Sequence, residues 1–357
     1  MLADVIPKIA AEMQEDDHPY RARPSLAGPE RCIRALVYHA AGVPKQPFPG
    51  RALLIFDDSS WHEELTADWI RKSSYQLHSQ QMEVDTPVGK GKIDGVLTDL
   101  LGVDRLLEHK AINHFTFERI WKGVWPVDYF VQCCLYLVGL QHVNPDMTEC
   151  LLLIKNKNTA QYLELLMRYD SIQDALTIVE VVRSDGERYT PQQSTWTGLV
   201  TESVKKFAQV EAHKTAGTRP DRPFEYGTEF PCGYCRWGKT CWAGYEQEVE
   251  ALESDVALDQ EAEQLCAYYL ETTLHLTEME KEKDSLKLKI KQLLLEKRAK
   301  GGRVGPYIVN LSLRKKSRLD EHLIPPQVLE QARIETAFEV LTIRKSKEAS
   351  NGNGTKS

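Results

Sequence analysis

"GKIDGVLTDLLGVDRLLEHKAIN", residues 91–113, is the stretch whose reading decides the fold. Ile93, Val96 and Leu97 read as a strand, residues 102–104 as a turn, and Leu106-Leu107 as the start of a second strand running through Lys110. Asp94 lies fourteen positions ahead of Glu108, so two adjoining strands bring Asp, Glu and Lys toward one end. Side chains alternate along a strand, which puts Glu108 and Lys110 on the same face. Two converging carboxylates suit a hard cation such as Mg²⁺, which takes oxygen ligands and keeps several waters. A lysine beside that ion could orient a water and stabilise negative charge developing on a phosphate. Metal-assisted hydrolysis of a phosphodiester is the chemistry these parts fit. A plain hairpin with an ion pair between its strands would give the same letters.

Working outward, the chain has 357 residues, 42% of them hydrophobic and 27% charged, the balance of a water-soluble globular protein. No apolar run approaches the roughly 20 residues of a membrane span. The N-terminus "MLADVIPKIAAEMQEDDHPY" carries acids where a secretory signal would have a basic start and an apolar centre, so a cytoplasmic location is expected. The net charge of −7 opposes a global attraction to nucleic acid, but distribution matters more than the total. Between Lys281 and Arg318 thirteen Lys or Arg face only three acids, a block that could contact phosphate or form a solvated face.

"GPERCIRALVYHAAG" (28–42) and "DDSSWHEELTADWIRKSS" (57–74) have helical spacing. "VDYFVQCCLYLVGLQ" (127–141) has the apolar density of a buried helix, and "CLLLIKNKN" and "QYLELLMRYD" read as strands. Thr190 to Ala212 is expected to be helical. From Val256 to Lys300, Leu258, Leu265, Met279, Leu286 and Leu293 fall on one seven-residue register and Tyr269, Leu276 and Ile290 on another, interrupted by Thr272 and Lys283. That pattern predicts a long helix or helical hairpin with coiled-coil-like packing. Residues 305–319 read as a strand pair or a strand and turn, and the tail 346–357 as disordered.

The series His62, Asp94, Glu108-His109-Lys110 and Gln132-Cys133-Cys134-Leu135-Tyr136, in that order and spacing, resembles the RecB-like branch of the PD-(D/E)xK nuclease superfamily. The resemblance covers about residues 25–245 and implies a mixed central sheet flanked by helices, an α/β restriction-endonuclease-like fold with a C-terminal helical extension. It implies His62, Asp94, Glu108 and the backbone carbonyl of His109 as ligands of Mg²⁺ or Mn²⁺, and Lys110 as the catalytic lysine. Gln132 and Tyr136 would support that lysine and contact DNA.

"PCGYCRWGKTC" supplies Cys232, Cys235 and Cys241, three thiols at metal-binding spacing. A fourth ligand must come from elsewhere, and Cys32 is the candidate. This arrangement looks like the iron–sulphur subset of the same nucleases, which includes the AddB nuclease domain and the CRISPR-associated RecB-like exonucleases. There a [4Fe–4S] cluster staples the two ends of the fold; a structural Zn²⁺ is the rival. Cys133, Cys134, Cys150 and Cys266 read as core thiols.

The organisation expected is an N-terminal segment (1–24), a nuclease core (25–250), a helical arm with a basic β segment (251–345), and the tail. The arm resembles, in outline, extensions of phage recombination exonucleases. It reads as an oligomerisation or packing element, with Arg314, Lys315, Lys316 and Arg318 as candidate phosphate contacts. The resemblance implies an exonuclease acting on linear duplex DNA ends, 5′-to-3′, for recombination or repair in a bacterial or phage-infected cell, with a single-strand annealing protein as natural partner. The alternatives are CRISPR spacer processing and a non-catalytic DNA-binding scaffold with a zinc site.

Overall fold

The structure is a computed structural model that describes residues 2–13, 19–192, 194–226, 231–252, 259–304 and 307–313. Helices α1 (Leu2–Glu12), α2 (Ile33–Ala40) and α3 (Gly50–Arg71) come first, then β1 (Gln76–His78), β2 (Glu83–Thr86), β3 (Gly89–Lys92), β4 (Gly95–Thr98) and β5 (Asp104–Ile112). Next are α4 (His114–Trp121), α5 (Val127–Gln141), β6 (Glu149–Asn156), β7 (Tyr162–Asp170), β8 (Ala175–Arg183), β9 (Arg188–Tyr189) and β10 (Thr195–Thr197). Then follow α6 (Leu199–Ala216), α7 (Gly238–Cys241), α8 (Tyr245–Glu250), α9 (Gln260–Glu296), β11 (Gly301–Val304) and β12 (Tyr307–Asn310). The chain divides into two units, Met1–Ala243 and Gly244–Ser357.

The first unit is a mixed α/β fold around one sheet of order β1-β4-β5-β6-β7-β8-β10, with β9 also paired to β8. β5 and β6 are parallel, with Glu108 opposite Leu152 and Lys110 opposite Ile154; the neighbouring pairs are antiparallel. A parallel pair needs a crossover, and α4 and α5 supply it. One face of the sheet carries the main core, where Leu106, Leu152, Ile154, Leu163 and Leu165 meet Phe130, Cys133 and Leu137 of α5. Each fully buried side chain of this size contributes about 1.5–3 kcal/mol relative to exposure. α5 is buried over ten of its fifteen residues, because it is enclosed by the sheet, the β2–β3 hairpin and α6. The opposite face packs Leu97, Leu107 and Leu151 against Ile70 and Leu77.

The buried helix at 127–141 lies where its apolar density puts it. α3 begins at Gly50, seven residues before the predicted Asp57, and α2 is shorter than 28–42, with Cys32 at its N-cap. The helix expected from Thr190 starts only at Leu199. Thr195–Thr197 pairs with β8 instead, and Gly198 turns the chain with φ +76. Three residues before a glycine turn are too few to display a strand period.

In the second unit α9 spans 37 residues, capped by Asp259, whose carboxylate accepts from Ala262 N at 2.9 Å. β11 and β12 form an antiparallel pair. Leu258, Arg314, Lys315, Lys316, Arg318 and the tail lie outside the described residues.

Candidate active site

Strand alternation sets the site's geometry. On β5, Leu106, Glu108 and Lys110 face α5, whereas Leu107 and His109 face α3. Asp94 sits between β3 and β4, and its Oδ2 accepts from the His109 N–H at 2.7 Å. Lys110 Nζ donates to Glu108 Oε1 and lies 5.4 Å from the Tyr129 ring centroid. Glu108 has no exposed surface, and its Oε2 has no hydrogen-bond partner. Burial raises the Glu108 carboxyl more than Lys110 lowers it, with Asp94 and Glu63 adding repulsion. Burial also raises Asp94, against Lys110 and the His109 N–H. For Lys110 burial opposes the charge, but Glu108 and Asp94 outweigh it and the amine titrates above the ordinary lysine range.

α5 closes the site from above. Tyr129, Gln132 and Tyr136 follow at i, i+3 and i+7, one helical face. The Tyr136 hydroxyl donates to the Lys92 carbonyl at 2.7 Å, and Gln132 hydrogen-bonds to that phenol. Gly91 makes this approach possible, since a Cβ there would stand 2.7 Å from Tyr136 Cε1 and 2.9 Å from Pro24 Cδ. The expected residues Asp94, Glu108, Lys110, Gln132 and Tyr136 therefore share one environment.

His62 is placed differently. Its Nε2 lies 3.6 Å from Asp58 Oδ1, and its titration is lowered by burial, then by Lys155 and Lys157. Lys157 pairs with Asp58 at 3.1 Å and donates to Ser59 at 2.8 Å. His109, whose titration burial pulls down to about 3, also feels Lys110, Lys155 and His62. On α3, Glu63 lies near the carboxylates: burial raises it most, Asp94 adds to this, Lys110 lowers it, and its Oε1 accepts from Gln81 at 3.0 Å. Sequence spacing does not single out Glu63, because helical neighbours differ by about 100° and periodicity alone does not fix which one faces inward. Among the described residues, no three His, Cys, Asp or Glu side chains are gathered closely enough to hold one ion. What fits a cation is the pair of carboxylates with an orphaned oxygen on Glu108.

The four candidate cysteines come from both ends of the first unit, but no three of them are gathered closely enough to hold one ion. Cys32 caps α2, Cys232 and Cys235 bracket a tight turn, and Cys241 ends α7. Burial raises Cys32, Cys232 and Cys235, and the thiols also act on one another: Cys232 on Cys235, and Cys32 and Cys241 on both. Trp237 fastens the two ends by donating from Nε1 to the Val43 carbonyl at 3.0 Å and lying near Tyr38 and His39. Cys133, Cys134 and Cys150 are buried, as expected of core thiols, but Cys266 is half-exposed on α9.

No protein-family model and no curated protein matches the chain. Among solved structures it is similar to an alkaline exonuclease (LHK-Exo) from Laribacter hongkongensis, at 14% identity and TM-score 0.33 over 52% of this chain and 78% of that one. The same exonuclease in complex with dAMP gives 13% and 0.36, over 60% and 93% of the two chains. SSO0001 gives 12% and 0.34, over 67% and 95%. Among the described residues no helix is long and apolar enough to cross a membrane.

Proposed function

We propose that this chain is a metal-dependent deoxyribonuclease of the PD-(D/E)xK type that hydrolyses phosphodiesters at linear DNA ends. The observation that carries the reading is Glu108, a fully buried carboxylate with one oxygen unpartnered, set beside Asp94 and Lys110. Asp94, Glu108 and the His109 carbonyl would hold Mg²⁺ or Mn²⁺, with His62 a further ligand in the resemblance. When bound, the ion polarises the phosphate and lowers the pKa of a bound water. Lys110 supplies fixed positive charge to the phosphate and does not act as a base. Tyr136 and Gln132 hold the β3 main chain against α5 and so fix where Asp94 sits. Glu63 adds a third carboxylate at the rim.

Degradation from the 5′ end, a role in recombination or repair, and a single-strand annealing partner belong to the same proposal and rest on the sequence resemblance. So does a [4Fe–4S] cluster on Cys32, Cys232, Cys235 and Cys241, for which the four thiols would have to draw closer than they stand here.

The decisive experiment incubates anaerobically purified wild type and Lys110→Ala with linear DNA labelled at either end and with closed circles, in Mg²⁺ or Mn²⁺. Wild type degrades linear DNA from the 5′ label, and Lys110→Ala is slower by about 100- to 1,000-fold. Cleavage of circles would make it an endonuclease. Binding without hydrolysis in any metal would put a non-catalytic scaffold in its place. For the cluster, the protein is brown with iron and acid-labile sulphide; colourless protein with stoichiometric zinc would replace it with the zinc site.

A further inference from the structure

α9 is a helix of 37 residues, about 55 Å long, and none of its residues is buried. Its apolar positions nevertheless keep a seam. Leu265, Met279, Leu286 and Leu293 occupy one register and Tyr269, Leu276 and Ile290 the other, each between 45% and 67% exposed. These are the two core positions of a heptad, and a stripe of this kind is stable only when another helix covers it.

The charges along the same helix say what covers it. Residues 260–280 carry five glutamates and neither lysine nor arginine, whereas the rest of the helix, residues 281–296, carries five lysines and three acids, and Lys297, Arg298 and Lys300 follow directly after it. The helix is thus acidic in its first half and basic in its second, with the change of sign at its centre. A second copy in parallel would set acid beside acid and base beside base along the whole length. A second copy reversed end to end sets each half against its complement. DNA would meet only the basic half and be repelled by the other.

We propose that α9 is a self-association surface on which two copies of this chain pair antiparallel. In the register that centres the charge reversal, Leu276 packs against the partner's Leu286 and Tyr269 against the partner's Leu293. Lys283, which interrupts the seam, then lies opposite the partner's Met279, where its methylenes cover the thioether and its amine reaches water. In the parallel arrangement it would meet its own counterpart, with like charges face to face.

Sedimentation of the full-length protein and cysteine cross-linking test this together. In a Cys266→Ser background, Tyr269→Cys and Leu293→Cys are made as separate variants. Each alone gives no cross-link between these positions under mild oxidation, and their mixture gives a covalent dimer joined through residues 269 and 293, read by peptide mapping. Leu276→Glu with Leu286→Glu halves the sedimenting mass while helix content by circular dichroism is kept. A wild-type monomer at tens of micromolar would overturn the proposal. So would covalent dimers from either single variant alone, which mark a parallel pair. A seam covered within one chain by residues beyond 313 would overturn it too, and would show as a monomer whose Leu276 is protected from hydrogen exchange.

Discussion

Glu108 sits in the sheet with no exposed surface and one oxygen without a hydrogen bond, while burial pushes its titration up to about 8. The folded protein therefore holds a proton there at pH values where the unfolded chain has released it. A carboxyl raised in this way contributes fully below the ordinary carboxylate range and progressively loses that contribution as pH rises toward 8. Asp94 is raised by burial in the same direction. Metal-free wild type is expected to melt lower at pH 9 than at pH 6, and Glu108→Gln to flatten that difference while abolishing hydrolysis. Thermal melts in chelator check the sign, and a steeper loss in Glu108→Gln would refute it. Glu63 makes a second expectation: Glu63→Gln slows hydrolysis about a hundredfold with the melting temperature unchanged. A full rate would remove it from the site. His62, 3.6 Å from Asp58, is tested alongside: a slowed His62→Ala supports the ligand role the resemblance implies, and a full rate removes it.

At the scale of elements, two local rules make most of the site legible in the sequence. Period-two alternation puts Glu108 and Lys110 on one face of β5, and helical spacing puts Gln132 and Tyr136 on one face of α5. Both rules are intrinsic to the backbone, so the order of residues displays them directly. The rotation of α3 about its own axis is not intrinsic. It is set by packing, with Gly50 brought against the Pro7 carbonyl of α1 and Thr66 and Ala67 buried. The start of the helix predicted over 190–212 is equally hidden, because Gly198 and the short pairing of β10 with β8 depend on a distant strand. Gly91 is a case where the need for a small residue comes from segments distant in sequence, α5 and the turn at Pro24. Gly91→Ala drives a methyl into Tyr136 and Pro24 and should cost about 1–3 kcal/mol, read as a lower denaturant midpoint with an unchanged slope. Full stability would show that α5 can recede from the hairpin.

At the scale of the molecule, residues 32–46 and 232–242 are drawn together, and Trp237 is buried in that junction, 8% exposed. Trp237→Ala removes its bond to Val43 and its contacts with Tyr38 and His39, and is expected to cost about 3–5 kcal/mol, measured by equilibrium unfolding. A loss below about 1 kcal/mol would mean that the two ends hold each other by other means. The resemblance proposes the four cysteines from order and spacing, since ligand motifs are local. It could not indicate that Arg236 also engages residue 46, where Gln46 N donates to the Arg236 carbonyl at 2.8 Å.

That junction has a consequence for how the first unit can be divided. The β7–β8 turn carries Ile172, 96% exposed, and β7 and β8 pair from Leu163 opposite Arg183 to Asp170 opposite Ala175, with one irregularity between Leu166 and Met167. A protease nick at Ile172 would leave the two pieces tied at both extremities, by strand pairing next to the cut and by the Trp237 clasp at the far end. Expressed as separate polypeptides, 1–172 and 173–243 have the makings of a split protein whose halves find each other without a linker.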